Sequence, residues 1–251
     1  MPCMSQSADT PSLAEVPVPA STRSRFWRGM ELGSPIFLGY VPVGIAFGIL
    51  ARTLGFSTPE AVLCSATALA GAGQFIALSV MATGASVATV LVATTIVNMR
   101  YVLFAATLSP FLRGVSTPKQ AAIAFTLTDE TFAINIAEQR LGLSSSASMI
   151  GVGVIAWIGW VLGTFLGALG ADWIGDPSRF GVGFAMPAMF TALFIALAED
   201  WRHVMAGLLA GGIVLLLPVL ASAGLPISSS WFLVIASTIA ATAAAAVWRD
   251  Q

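Results

Sequence analysis

Two short stretches place charge where charge is expensive. Thr94-Thr95-Ile96-Val97-Asn98-Met99-Arg100-Tyr101 has apolar runs on both sides, and Thr126-Leu127-Thr128-Asp129-Glu130-Thr131 lies equally deep in the next apolar run. A charged side chain at the centre of a bilayer costs roughly 2.5–3.5 kcal/mol on insertion scales, so three approach ~10 kcal/mol unless they pair or meet water. The economical arrangement sets Arg100 against Asp129 or Glu130. Adjacent carboxylates on a helix diverge by about 100°, so one guanidinium does not readily serve both. A carboxylate without a cation in a low-dielectric site is disfavoured in its charged form, which suits the leftover acid to taking up and releasing a proton. The plainer alternative is a structural trio with the spare acid at a wet helix end.

Gln74, in Ala70-Gly71-Ala72-Gly73-Gln74, is a third polar intrusion. Bare backbone groups around Gly71 and Gly73 are able to hold the ammonium and carboxylate of a zwitterion, as broken half-helices do. Asn98 adds a side-chain hydrogen bond, and a wall of Leu, Ile, Phe and Met suits an apolar substrate side chain. The candidate binding residues are therefore Gly71, Gly73, Gln74 and Asn98. Arg100, Asp129 and Glu130 are the candidates for ion pairing and proton coupling. The alternative for the glycines is tight helix packing through small residues, and for Gly159, Gly163 and Gly167 the four-residue spacing makes packing the better reading.

The elements that must hold these residues are helices in a membrane. Of 251 residues, 57% are hydrophobic and only 9% charged, with mean hydropathy +0.89, against roughly 25% charged in a soluble domain. That composition excludes an ordinary cytosolic enzyme and a disordered scaffold, and a net charge of −1 without a basic patch excludes a nucleic-acid binder. The expected fold is an all-α polytopic bundle with broken helices. Apolar segments fall at about 33–52, 60–82, 87–112, 120–138, 147–170, 181–198, 204–221 and 229–248, each near the ~20 residues a spanning helix needs. Eight spans result, or seven if one is re-entrant. Pro35, Pro42 and the glycines near them mark the first segment as interrupted. Gly39-Tyr40-Val41-Pro42 and Gly183-Phe184-Ala185-Met186-Pro187 form a faint echo that fits an internal pseudo-repeat.

Residues 1–28 are polar and Pro-rich and read as a retained disordered tail ahead of a transport domain at 29–251. Arg23, Arg25 and Arg28 argue for a cytoplasmic N-terminus, although loop charge does not separate eight spans from a version in which 60–82 turns back. Several catalytic readings fail. Lys119, the only lysine, follows Pro118, so there is no Walker A motif. Gly151-Val152-Gly153-Val154-Ile155-Ala156 opens an apolar span with no strand before it, and no G-x-S-x-G or HExxH occurs. Cys3, Cys64 and the single His203 show no metal spacing. The reading is of a protein that is not an enzyme and carries no cofactor.

Four blocks in order, Gly39-Tyr-Val-Pro42-Val-Gly44-Ile-Ala-Phe-Gly48, Ala70-Gly-Ala-Gly-Gln74-Phe, Asn98-Met-Arg100-Tyr-Val-Leu103 and Leu127-Thr-Asp129-Glu130, resemble the AzlC family of branched-chain amino acid transport proteins. The resemblance runs from about residue 28 to the C-terminus and implies a multi-pass protein of the bacterial plasma membrane. It implies export of valine, leucine, isoleucine or methionine in company with a small hydrophobic AzlD-type subunit. The rival functions are a channel or importer for another small solute, an intramembrane enzyme, and an assembly subunit with no pathway of its own.

Overall fold

The computed structural model describes residues 21–174, 200–222 and 232–248, with single positions between 184 and 198. Among the described residues all regular structure is helical. In chain order the helices are α1 (Thr22–Thr53), α2 (Thr58–Thr67), α3 (Gly71–Ala82), α4 (Val87–Asn98), α5 (Arg100–Leu108), α6 (Thr117–Phe125), α7 (Asp129–Arg140), α8 (Ser146–Ile174), α9 (Trp201–Ser222) and α10 (Phe232–Val247). Among the described residues, Thr22–Thr53, Val87–Leu112, Ser146–Trp173 and Trp201–Ser222 are long and apolar enough to cross a membrane. The expected tail to residue 20, Gly183 and Pro187 of the echo, and most of the segment at 181–198 lie outside the described residues.

The chain forms two compact units, one holding the residues up to Gly71 and Asn98–Ile174, the other Ala72–Val97 and Gly175 onward. In the second, α9 and α10 pack together, with the Trp201 and Trp248 rings edge to face at 5.7 Å. The first unit is built on α1 and α8. Their backbones touch along much of their length because glycines line the seam. A Cβ at Gly163 would lie 2.4 Å from the Val41 carbonyl oxygen, and one at Gly48 would lie 2.3 Å from that of Thr164. Gly29 meets Ser148 and Gly44 meets Trp160, so the two helices run parallel. Without a hydrophobic force between helices in lipid, this close approach is what holds them together.

Ion pairs and tryptophans mark the two ends of this pair. Arg28 pairs with Glu138 beside Trp27, and Arg52 reaches Asp172 at 3.0 Å beside the exposed Trp173. Arg28 and Arg52 stand roughly 36 Å apart along α1, enough to bracket a hydrocarbon core of about 30 Å. Tyr40 lies midway. Helix α8 begins again beside Gly29, at the same end of the pair as the start of α1.

Two expectations need correction. Helix α1 starts at Thr22, so Arg23, Arg25 and Arg28 belong to its first turns rather than to a tail. It is also continuous through Pro35 and Pro42. Pro35 cannot bond the Glu31 carbonyl, and the Ser34 hydroxyl donates to that oxygen instead, at 2.8 Å. The breaks occur elsewhere. The segment expected at 60–82 is divided at residues 68–70, and that at 120–138 at Thr126–Thr128.

Gly163→Ala is expected to cost about 1–3 kcal/mol by forcing α1 and α8 apart, read as a lower Tm of the detergent-solubilised protein. At Gly39 nothing lies within 4 Å of the added Cβ, so Gly39→Ala is expected to hold or raise Tm. Equal tolerance of both changes would contradict the packing.

Candidate functional site

The break before α7 puts the acidic doublet in the first turn of a helix. Thr128 is the N-cap: its hydroxyl accepts from the Thr131 amide at 3.3 Å, and its own amide donates to the Thr131 hydroxyl at 2.8 Å. The Thr131 hydroxyl in turn donates to the Thr126 carbonyl at 3.0 Å. Threonine hydroxyls therefore satisfy the backbone groups that the break frees, as a broken segment in a membrane requires. Gly153 makes room, since a Cβ there would lie 2.0 Å from the Thr126 hydroxyl. Asp129 and Glu130 stand at the positive end of the α7 dipole, which favours their charge. The doublet is thus at a helix N-terminus, not inside a continuous helix as its flanking residues imply.

The two acids take different partners. Arg100 Nη2 lies 2.9 Å from Asp129 Oδ2, both side chains being largely buried. The guanidinium also sits over the Tyr101 ring, 5.3 Å from its centroid. Behind it, Tyr101 leans on Phe104, and Phe104 stacks on Phe132 of α7 at 4.4 Å. This aromatic run fixes α5 against α7 beside the ion pair, and below it Leu108, Ile123, Leu127 and Met149 close an apolar cluster. Arg100 follows the α4 carbonyl end after a single turn residue, Met99, whose backbone stays in the right-handed helical region.

Glu130 is not left without a partner, contrary to the expectation of an unpaired acid. The Tyr40 hydroxyl of α1 contacts its carboxylate and also lies 2.8 Å from the Thr128 hydroxyl. Sequence reasoning passed over Tyr40. The signal was present: the chain has only 2 tyrosines, Tyr40 and Tyr101, and both stand here.

Arg100, Asp129 and Glu130 are thus brought together in the first unit. Gly71, at the start of α3, lies against the six-membered ring of Trp160, which comes to 3.4 Å from where its Cβ would be. Trp160 is buried and edges Tyr40 with centroids 5.5 Å apart. The Trp157 indole donates to the Ala66 carbonyl at 3.0 Å, capping the end of α2 just before the break at 68–70. Asn98 closes α4, and its carbonyl oxygen Oδ1 is buried with no hydrogen-bond partner, as is Nε of Arg100. Gly73 and Gln74 are buried in the opening turn of α3 and belong to the second unit.

Such a fold and site define a helical membrane protein that holds ionisable groups at mid-depth between interrupted helices. The chain belongs to the AzlC family, whose model, described as AzlC protein, matches residues 35–174. It is 33% identical over 220 residues to the Inner membrane protein YgaZ of Escherichia coli K12, covering 83% of this chain and 90% of that protein. It is 31% identical over 197 residues to an uncharacterized membrane protein of Archaeoglobus fulgidus, covering 78% of this chain and 85% of that one. With the Branched-chain amino acid transport protein AzlC of Bacillus subtilis it shares 28% identity over 184 residues, 71% of this chain and 70% of the relative. No solved structure matches it.

Arg100→Gln leaves the Asp129 carboxylate without its cation and is expected to cost about 1.5–3 kcal/mol. Adding Asp129→Asn is expected to return part of that loss in a double-mutant cycle of thermal unfolding in detergent. Additive losses would mean that the pair is not coupled.

Proposed function

We propose that the protein moves branched-chain amino acids, with methionine as a further substrate, across the inner membrane of a bacterium. It works outward, is driven by protons, and acts with a small hydrophobic AzlD-type subunit. The observation that carries this reading is the mid-depth site itself. Arg100 is held by Asp129, a second carboxylate stands beside it on a different partner, and Asn98 Oδ1 and Arg100 Nε are buried with bonding capacity unused. Buried polar atoms without partners are rare in proteins, and these two are open to a polar substrate. Asn98 Oδ1 is an acceptor fit for an ammonium group. The opening amide of α3 at Gly71 has no partner within its own helix and suits a carboxylate. Glu130 is the proton-carrying group, and the Arg100–Asp129 pair is structural.

The printed name of the Bacillus subtilis relative supports the substrate class, and that of the Escherichia coli relative supports the membrane. Outward direction and the small subunit rest on the family resemblance. The reading is of a carrier and not an enzyme, and the transport name of the Bacillus subtilis relative supports it.

Counterflow of labelled leucine in proteoliposomes, with and without the AzlD-type subunit and across an imposed pH gradient, tests this. Flux that needs the subunit and responds to the gradient is the expected result. Flux indifferent to both would favour a channel for small solutes, and turnover of a lipid or peptide by the purified chain would favour an enzyme.

A further inference from the structure

We propose that Tyr40 is the positioning residue that reads the protonation of Glu130 and passes it to the start of α3 at Gly71; this rests on the proton-carrying role of Glu130 proposed above. The Tyr40 hydroxyl stands between two oxygens, the Glu130 carboxylate and the Thr128 hydroxyl at 2.8 Å. It carries one proton, so it donates to only one of them at a time.

The state of Glu130 decides which. With Glu130 ionised, Tyr40 donates to the carboxylate, and the Thr128 hydroxyl donates to the Tyr40 oxygen. When Glu130 takes a proton from water, its own O–H donates to the Tyr40 oxygen, and Tyr40 turns its proton to Thr128. The Thr128 hydroxyl then donates to Thr131 Oγ1, 3.3 Å away, while Thr131 continues to donate to the Thr126 carbonyl at 3.0 Å. The row of hydroxyls reverses direction, every oxygen keeps a partner in both states, and no covalent bond changes other than the O–H formed on Glu130. Both states are satisfied, as a two-state element requires.

The reversal lies against a packed path. The Tyr40 ring meets the buried Trp160 at a centroid distance of 5.5 Å and an interplanar angle of 75°. The six-membered ring of Trp160 also meets Gly71, at 3.4 Å from its Cβ position. Tyr40 is 7% exposed and Trp160 1% exposed, so a shift of the first ring has no free volume to dissipate into. The other charged or titratable groups facing Glu130 are Asp129 on its own helix and Arg100 and Tyr101 on α5. Arg100 and Asp129 neutralise one another, and Tyr40 is the group whose hydroxyl bonds the Glu130 carboxylate.

The test is the pH profile of labelled-leucine flux in proteoliposomes holding the full chain, comparing wild type, Tyr40→Phe and Glu130→Gln. Phenylalanine keeps the ring on Trp160 and removes the hydroxyl. Tyr40→Phe is expected to move the midpoint of the profile by about one pH unit, the size of one lost hydrogen bond to a charged group. KM for leucine is expected to stay within about two-fold, as for a residue outside the binding contacts. Glu130→Gln is expected to flatten the profile. If Tyr40→Phe does not accumulate, Thr128→Val is expected to shift the profile and Thr128→Ser to restore it. A flattened Glu130→Gln profile beside wild-type behaviour in Tyr40→Phe would overturn the role of Tyr40 and leave the proton role of Glu130 standing. A wild-type profile without pH dependence would remove both.

Discussion

Hydrocarbon offers no hydrogen bonds, and the rest of this structure follows from that constraint. Each charged or polar group at mid-depth must find its partner inside the protein or face a wet cavity. Arg100 finds Asp129, and Glu130 finds Tyr40. The backbone groups released where α6 gives way to α7 find the hydroxyls of Thr128 and Thr131. Where α2 ends, an indole from α8 takes up the slack. Interruptions that would be ruinous in a lipid-facing rod are stable here because hydroxyls at the break itself and an indole from α8 supply the partners.

That supporting role explains the division of labour within the first unit. The parallel pair α1 and α8 is joined backbone to backbone through glycines and leaves little room for sliding. The interrupted segments lean on its middle third, with Tyr40 and Trp160 pointing into them from either helix. A stiff frame that carries the hydrogen-bond partners, beside short half-helices whose ends carry the chemistry, is a sound arrangement for alternating a site between two faces. A half-helix end also sets the electrostatics: the acids stand at the amide end of α7.

Much of this was legible in residue types. Three charges in the middle of apolar runs had to meet, and Arg100 and Asp129 do. Gly159, Gly163 and Gly167 at four-residue spacing had to face a close neighbour, and they face Phe37, Val41 and Ile45. Which acid would take the arginine was not legible, because it depends on where α1 and α5 stand around the start of α7. The break at Thr126–Thr128 was hidden for a related reason: threonine reads as an ordinary small residue until its hydroxyl is seen bonding a freed amide. Prolines misled in the opposite direction. Pro35 looked like an interruption, but the serine before it supplies the missing hydrogen bond and α1 runs on. Tyr40 was overlooked because its neighbours Gly39 and Pro42 drew the eye to the backbone, while its partner lies on α7, 90 positions along the chain.

The central claim is that the two adjacent carboxylates have separate duties, Asp129 neutralising Arg100 and Glu130 carrying the proton. Infrared difference spectra of the reconstituted protein, taken between alkaline and acidic buffer, address this directly. The account predicts a carboxylic-acid carbonyl band on acidification that persists in Asp129→Asn and is absent from Glu130→Gln. A band that survives Glu130→Gln and vanishes in Asp129→Asn would contradict it.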